Sequence, residues 1–124
     1  MCHQTVSLIA RHLEANGMPT LIIGSARDIV EHCGVPRFLF VDFPLGNPCG
    51  KPWEPAMQQR ILRQGLSLLA SATTANQTVA SDEQWGDDQW KAQFLAVTDA
   101  NRAELARRGE ELRQRRAVRT RRAD

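Results

Sequence analysis

No tyrosine occurs in the 124 residues, and only 6% of them are aromatic. Stacking platforms for nucleobases need aromatics among basic residues, and here the arginines near the C-terminus have none between them, so nucleic acid is not an expected partner. Long apolar runs are also missing. The longest, Thr20 to Gly24 and Phe38 to Val41, fall far short of the ~20 residues that span a bilayer. No membrane association is expected. The N-terminus lacks a basic region followed by an apolar stretch and a small-residue cleavage site, so a cytoplasmic location is expected. Cysteine is scarce: Cys2, Cys33 and Cys49 form an odd set without CxxC spacing. Structural disulfides and zinc knuckles are therefore not expected. The phosphate-binding and nucleophile-elbow patterns GxGxxG, GxxxxGK and GxSxG are absent, and neither a cofactor nor a metal is expected.

What is present divides into two compositional parts. Residues 1–80 hold 6 basic and 5 acidic side chains and most of the apolar ones; residues 81–124 hold 10 and 9. In the second part the acids come first, six of them within 82–104, and eight arginines follow within 107–122. This order complements a helix macrodipole and predicts a long, solvated surface helix.

The first part alternates helical and strand-like patterns. Val6, Ile9, Ala10 and Leu13 recur at helical spacing, and Gly17 and Pro19 end the segment. Thr20 to Ile23 and Phe38 to Val41 are continuous apolar runs, the mark of strands covered on both faces. Between them a short helix runs from Ser25, its expected N-cap, to Gly34. After Asp42, the segment 43–53 carries three Pro and two Gly and reads as a shaped loop. Pro55 then opens a helix with Met57, Ile61, Leu62, Leu66 and Leu69 on its apolar face.

These patterns predict an α/β fold: a partial Rossmann-like βαβ three-layer sandwich with a short parallel sheet, right-handed crossovers and a C-terminal helical tail. The expected division is an α/β domain over 1–72, a linker over 73–81, and a charged, largely helical tail over 82–124. Two strands make a small sheet with unpaired edges, which predicts that a missing N-terminal half or another subunit completes it.

Ligands of open α/β sheets bind beyond the carboxyl ends of the strands. Three segments leave such positions: Cys2-His3 before the first helix, Gly24-Ser25, and the Pro/Gly loop. Cys2 precedes a helix whose N-terminus favours a thiolate, and Cys49 sits in the loop beside Lys51. These two are the candidate catalytic residues. Cys33, on the apolar stripe of its helix, reads as a small core residue.

The run Val35-Pro36-Arg37-Phe38-Leu39-Phe40-Val41-Asp42-Phe43-Pro44-Leu45-Gly46-Asn47-Pro48-Cys49-Gly50-Lys51-Pro52, followed by Gln58-Gln59-Arg60, resembles the C-terminal part of the selenoprotein B family of glycine, sarcosine, betaine and D-proline reductases. The segment from Thr5-Val6 through Leu13-Glu14-Ala15-Asn16-Gly17-Met18-Pro19-Thr20 is similar to the same family. The resemblance covers about residues 2–70. It implies reductive cleavage of a carbon–nitrogen bond in a small amino acid or amine, with a thiol or selenol attacking and a thioredoxin-type dithiol supplying electrons. It also implies partner subunits, some carrying a pyruvoyl group. Cys2 matches the second cysteine of a CxxC-like turn in that family, whereas Cys49 stands where many members have an apolar residue. Gly24, Ser25, Pro44, Gly46, Asn47 and Gly50 are the expected substrate-binding positions. Since members are considerably longer, the chain is expected to act as a subunit or fragment that needs a complementary reductase subunit. The alternative is a non-catalytic α/β module that docks a partner.

Overall fold

A computed structural model describes residues 2–94 and 96–121, with the side chains of Gln93 and of 116–121 outside the description. The chain forms two units, Met1–Lys91 and Ala92–Asp124. In the first, helix α1 (His3–Ala15) leads to strand β1 (Ile22–Gly24), helix α2 (Arg27–Cys33), strand β2 (Arg37–Phe40), helix α3 (Pro55–Ser71) and strand β3 (Gln77–Ala80). All three strands are parallel in the order β1-β2-β3, with Ile23 opposite Leu39 and Leu39 opposite Val79. This is the expected α/β sandwich with a short parallel sheet.

β3 lies inside the segment expected to be a linker. Gln77 to Ala80 has too little apolar content to announce a strand, because an edge strand needs only one neighbour and Val79 stays 39% exposed. Its register is clamped by the Gln77 N–H donating to the Pro36 carbonyl (3.0 Å) and the Ser81 N–H donating to the Phe40 carbonyl (2.8 Å). The α/β unit therefore extends past residue 72. Trp85, expected in the tail, belongs to it and packs on Phe43 with ring centroids 5.4 Å apart.

Strand alternation separates two cores. Leu39, Val41 and Phe43 meet Met57, Ile61 and Leu68 of α3, with Leu21 and Ile23 alongside. Phe38 meets Val30 of α2 and Val35, with Ile22 and Phe40 alongside. Helices α2 and α3 thus cover opposite faces of the sheet. Parallel strands laid side by side in chain order then require the two crossovers to have opposite hands, so only one follows the right-handed rule.

Both amphipathic helices are rotated from their expected faces. Ser7 and Ala10 are buried in α1 while Ile9 is 53% exposed; in α3 Gly65 and Leu68 are buried while Leu62 and Leu66 are each 55% exposed. Gly65 is required by close approach, since a Cβ there would stand 2.8 Å from Leu21 Cδ2. Ser25 does not cap α2; Ala26 occupies that position, and the Ser25 hydroxyl is buried with no hydrogen-bond partner among the described residues.

A polar cluster fixes the entry to β1. Glu14 Oε1 accepts from the Thr20 N–H, from Thr20 Oγ1 (3.0 Å) and from Arg37 Nη1 (2.6 Å). These bonds, the Thr20 N–H foremost, hold the Glu14 carboxyl below its ordinary value against the opposing effect of burial. A depressed folded-state pKa stabilises the fold above the unfolded carboxyl value and is lost as pH falls through the folded value. Glu14→Ala should cost about 1–3 kcal/mol near neutral pH, and the gap from the wild type should close in acid. Urea unfolding of both proteins at each pH checks this; a gap unchanged in acid would rule out the carboxylate as its source.

After the short helix α4 (Gln89–Gln93), the second unit holds α5 (Asp99–Arg121), as the charge order predicts. The Thr98 N–H donates to Asn101 Oδ1 (2.8 Å) at its start. Glu104 pairs with Arg107 and Arg108, each at 2.7 Å, and Glu110 with Arg113 at 2.6 Å. Leu105 and Leu112 are exposed, so this helix is held by its own i,i+3 and i,i+4 pairs. Among the described residues no helix is long and apolar enough to cross a membrane.

Candidate functional site

The Pro/Gly loop after β2 is rigid by construction. Phe43 and Pro44 are buried and anchor it. The Asn47 N–H donates to the Pro44 carbonyl (3.1 Å) and the Gly50 N–H to the Asn47 carbonyl (3.2 Å), closing two consecutive turns. Gly46 takes φ 99° at the third position of the first turn, where a type II turn wants glycine, and Pro48 takes the second position of the next. Gly50 has φ 109° and lies against α3, where a Cβ would stand 3.2 Å from Gln58 Cγ. Gln58 Nε2 donates back to the Lys51 carbonyl at 2.8 Å. Loop and helix are thus locked together.

Facing this loop is the start of α1. His3 lies over Gly24 at the end of β1: a Cβ on Gly24 would stand 3.1 Å from His3 Cδ2. The Ser25 N–H donates to His3 Nε2 (3.4 Å). Between loop and helix lies an open pocket of ≈ 410 Å³, lined by His3, Val6 and Ile23 on one side and by Gly46, Asn47, Pro48, Cys49, Gly50, Pro52 and Gln58 on the other. Its walls are mostly apolar, as small-ligand sites are.

Of the expected site residues, Gly46, Asn47, Cys49 and Gly50 line the pocket. Gly24 and Ser25 lie behind His3, and Pro44 lies beneath the loop. Cys2, also outside the wall, is exposed at the N-cap of α1, one residue from His3. The N–H of Thr5, then its hydroxyl and the N–H of Gln4, hold the Cys2 thiol below its ordinary value. Cys2 and Cys49 are both free thiols; Cys33 is half-buried at the end of α2 rather than in the core. Among the described residues no three His, Cys, Asp or Glu side chains gather as a metal site.

His3, which the sequence places on the rim without a role, and Gln58 are the polar lining residues not among the expected site residues. The signal for His3 is its place in the first turn of a helix entering from the ligand-binding rim. Adjacency to Cys2 hides it, because neighbours in a helix do not face each other.

No family model matches the sequence. No solved structure matches it either. Among curated proteins, the D-proline reductase subunit gamma of Acetoanaerobium sticklandii is 32% identical over 78 residues, which are 63% of this chain and 32% of that protein. The chain spans about a third of the length of this relative. The likeness is to a proline reductase subunit and does not single out selenoprotein B.

Proposed function

We propose that the chain is a subunit, or part of one, of a thiol- or selenol-dependent reductase that cleaves a carbon–nitrogen bond in a small amino acid or amine. The observation that carries this reading is the shared rim, where a loop bearing Cys49 and the His3 imidazole line one apolar pocket and Cys2 stands exposed at the N-cap of α1, one residue from His3. The likeness to a D-proline reductase subunit supports it. Proline, glycine, sarcosine and betaine are the substrate candidates, taken against Gly24, Ser25, Pro44, Gly46, Asn47 and Gly50. In the reaction the C–N bond takes up two electrons, and carbon and nitrogen each gain a proton. A dithiol gives up both electrons and both protons and becomes a disulfide. Cys2, with its lowered pKa, is the thiolate; Cys49 is the second sulfur; a thioredoxin-type dithiol is the donor.

The test is to purify the tagged protein from its own cells with its bound partners and supply dithiothreitol with D-proline, glycine, sarcosine or betaine in turn. Thiol consumption that depends on one of these substrates is expected from the complex and not from the chain alone. No substrate-dependent consumption by the complex overturns the reductase reading; turnover by the isolated chain overturns the need for a partner. A non-catalytic docking module is the second reading, favoured by the exposed Leu8, Ile9, Leu62 and Leu66.

A further inference from the structure

β1 lies at the edge of the sheet and, among the described residues, pairs with β2 alone. Yet its residues are apolar and half-buried. The two helices beside it show what lies over its open side. In α1, Ser7 and Ala10 face inward, and Arg11 donates to the Cys33 carbonyl of α2 (3.0 Å), so that flank faces α2. At about 100° per residue, Val6, Ile9 and Leu13 lie on the opposite flank, beyond β1. In α3, Gly65 packs on Leu21 and Ile23, and Arg60 reaches Glu83 after β3. Gln58, Leu62 and Leu69 therefore lie on the flank away from β3. Val6, Ile23 and Gln58 line one pocket, which joins both flanks at the same edge. The edge of β1 is thus overhung on both faces by helix flanks that are apolar but for Gln58.

Helix α1 also fixes a direction. It starts at His3, beside the carboxyl end of β1, and ends ahead of Thr20, at the opposite end of that strand. It therefore runs antiparallel to β1, in the place of a crossover helix returning from a further parallel strand. Helices α2 and α3 hold that relation to the strands they connect.

We propose that the free edge of β1 binds a parallel β-strand of a partner subunit, apolar on both faces, seated between the Val6–Ile9–Leu13 flank of α1 and the Gln58–Leu62–Leu69 flank of α3. The strand ends beside Cys2, so the residues that follow it complete the open side of the pocket. The choice of a partner subunit rests on the reading of the chain as part of a reductase assembly. That reading fits a relative that is itself a subunit. Binding at the edge needs no reduction chemistry and is measured without it.

The probe is a capped synthetic octapeptide with a central run of valine and isoleucine, flanked by threonine and lysine, with a nitroxide at its C-terminal end. Amide exchange and NMR line widths of the isolated chain are followed as it is added. Saturable slowing of exchange at Leu21 to Ile23 is expected, with nitroxide broadening at His3 and Gly24. The Ile9→Lys/Leu62→Lys double variant, altered only at exposed positions, should bind roughly tenfold or more weakly. Broadening at Thr20 instead would mean antiparallel pairing and overturn the proposal, as would the absence of saturation. A dimer by light scattering, with the edge protected before peptide is added, would assign it to a second copy and overturn the proposal as well. If the edge binds and the complex shows no thiol consumption, only the chemistry fails.

Discussion

Iodoacetamide at about pH 6.5 should label Cys2 ahead of Cys33 and Cys49, and faster than a free thiol, whose pKa of about 8.5 leaves little thiolate there. The first-turn N–H of Thr5 and the groups beside it favour the Cys2 thiolate, and no burial slows the reagent. Because the pKa is lowered, the fast phase should persist below the pH at which a free thiol stops reacting, and fade as pH falls through the lowered value. Cys2→Ser should remove it, whereas Cys49→Ser should leave it. Thr5→Val should slow it in part, since the hydroxyl is the second contributor and the main-chain N–H remains. On the proposed reductase reading, Cys2→Ser should lower the turnover of the chain purified with its partners by about 10³-fold or more, as removal of a reacting group does. Labelling of Cys2 at the free-thiol rate would remove the chemical basis of its assigned role.

The second large effect is on stability. Phe38→Ala should cost about 3–5 kcal/mol, measured by urea unfolding, out of a total of about 5–15 kcal/mol for a domain of this size. Phe38 is 1% exposed and packs with Val30 and Val35; its ring stands 6.2 Å from that of Phe40, edge to face. Its neighbours Val30 and Val35 are themselves buried, on α2 and in the turn into β2. Phe38 also supports the rim: its ring and the His3 imidazole both lie where a Cβ on Gly24 would project, 3.5 Å and 3.1 Å from it. The variant should therefore change Cys49 alkylation under conditions where it remains folded. Ile9→Ala, at an exposed position, should shift stability by less than about 0.5 kcal/mol. An unfolding midpoint unchanged by Phe38→Ala would show that this cluster is not the core of that face.

The buried strands and the loop were the most legible parts. Continuous apolar runs too short to span a bilayer are best buried as strands, and a stretch with Pro44, Gly46, Pro48 and Gly50 can only be turns. The long charged helix α5 was legible for a similar reason, since its ion pairs are local in sequence. β3 was not, because an edge strand of Gln, Thr, Val and Ala takes its conformation from hydrogen bonds to β2. The faces of α1 and α3 were legible only to within a turn: Leu8, Ile9, Leu62 and Leu66 satisfy the helical period as well as the residues that are buried.

The site divides along the same line. Cys49, Gly46, Asn47 and Gly50 share one loop, so their grouping was local and could be read. Cys2 was readable as a helix-start thiol, but its position outside the pocket wall was not. Sequence by itself determined the element order from α1 to α3, the turn chemistry after Asp42 and the charge order of α5, because each depends on residues a few positions apart. Tertiary structure alone decided that α2 and α3 cover opposite faces, that His3 lies over Gly24, and that the open edge of β1 lies between two apolar helix flanks. Those relations join residues more than twenty positions apart, where packing and strand pairing decide and local propensity is silent.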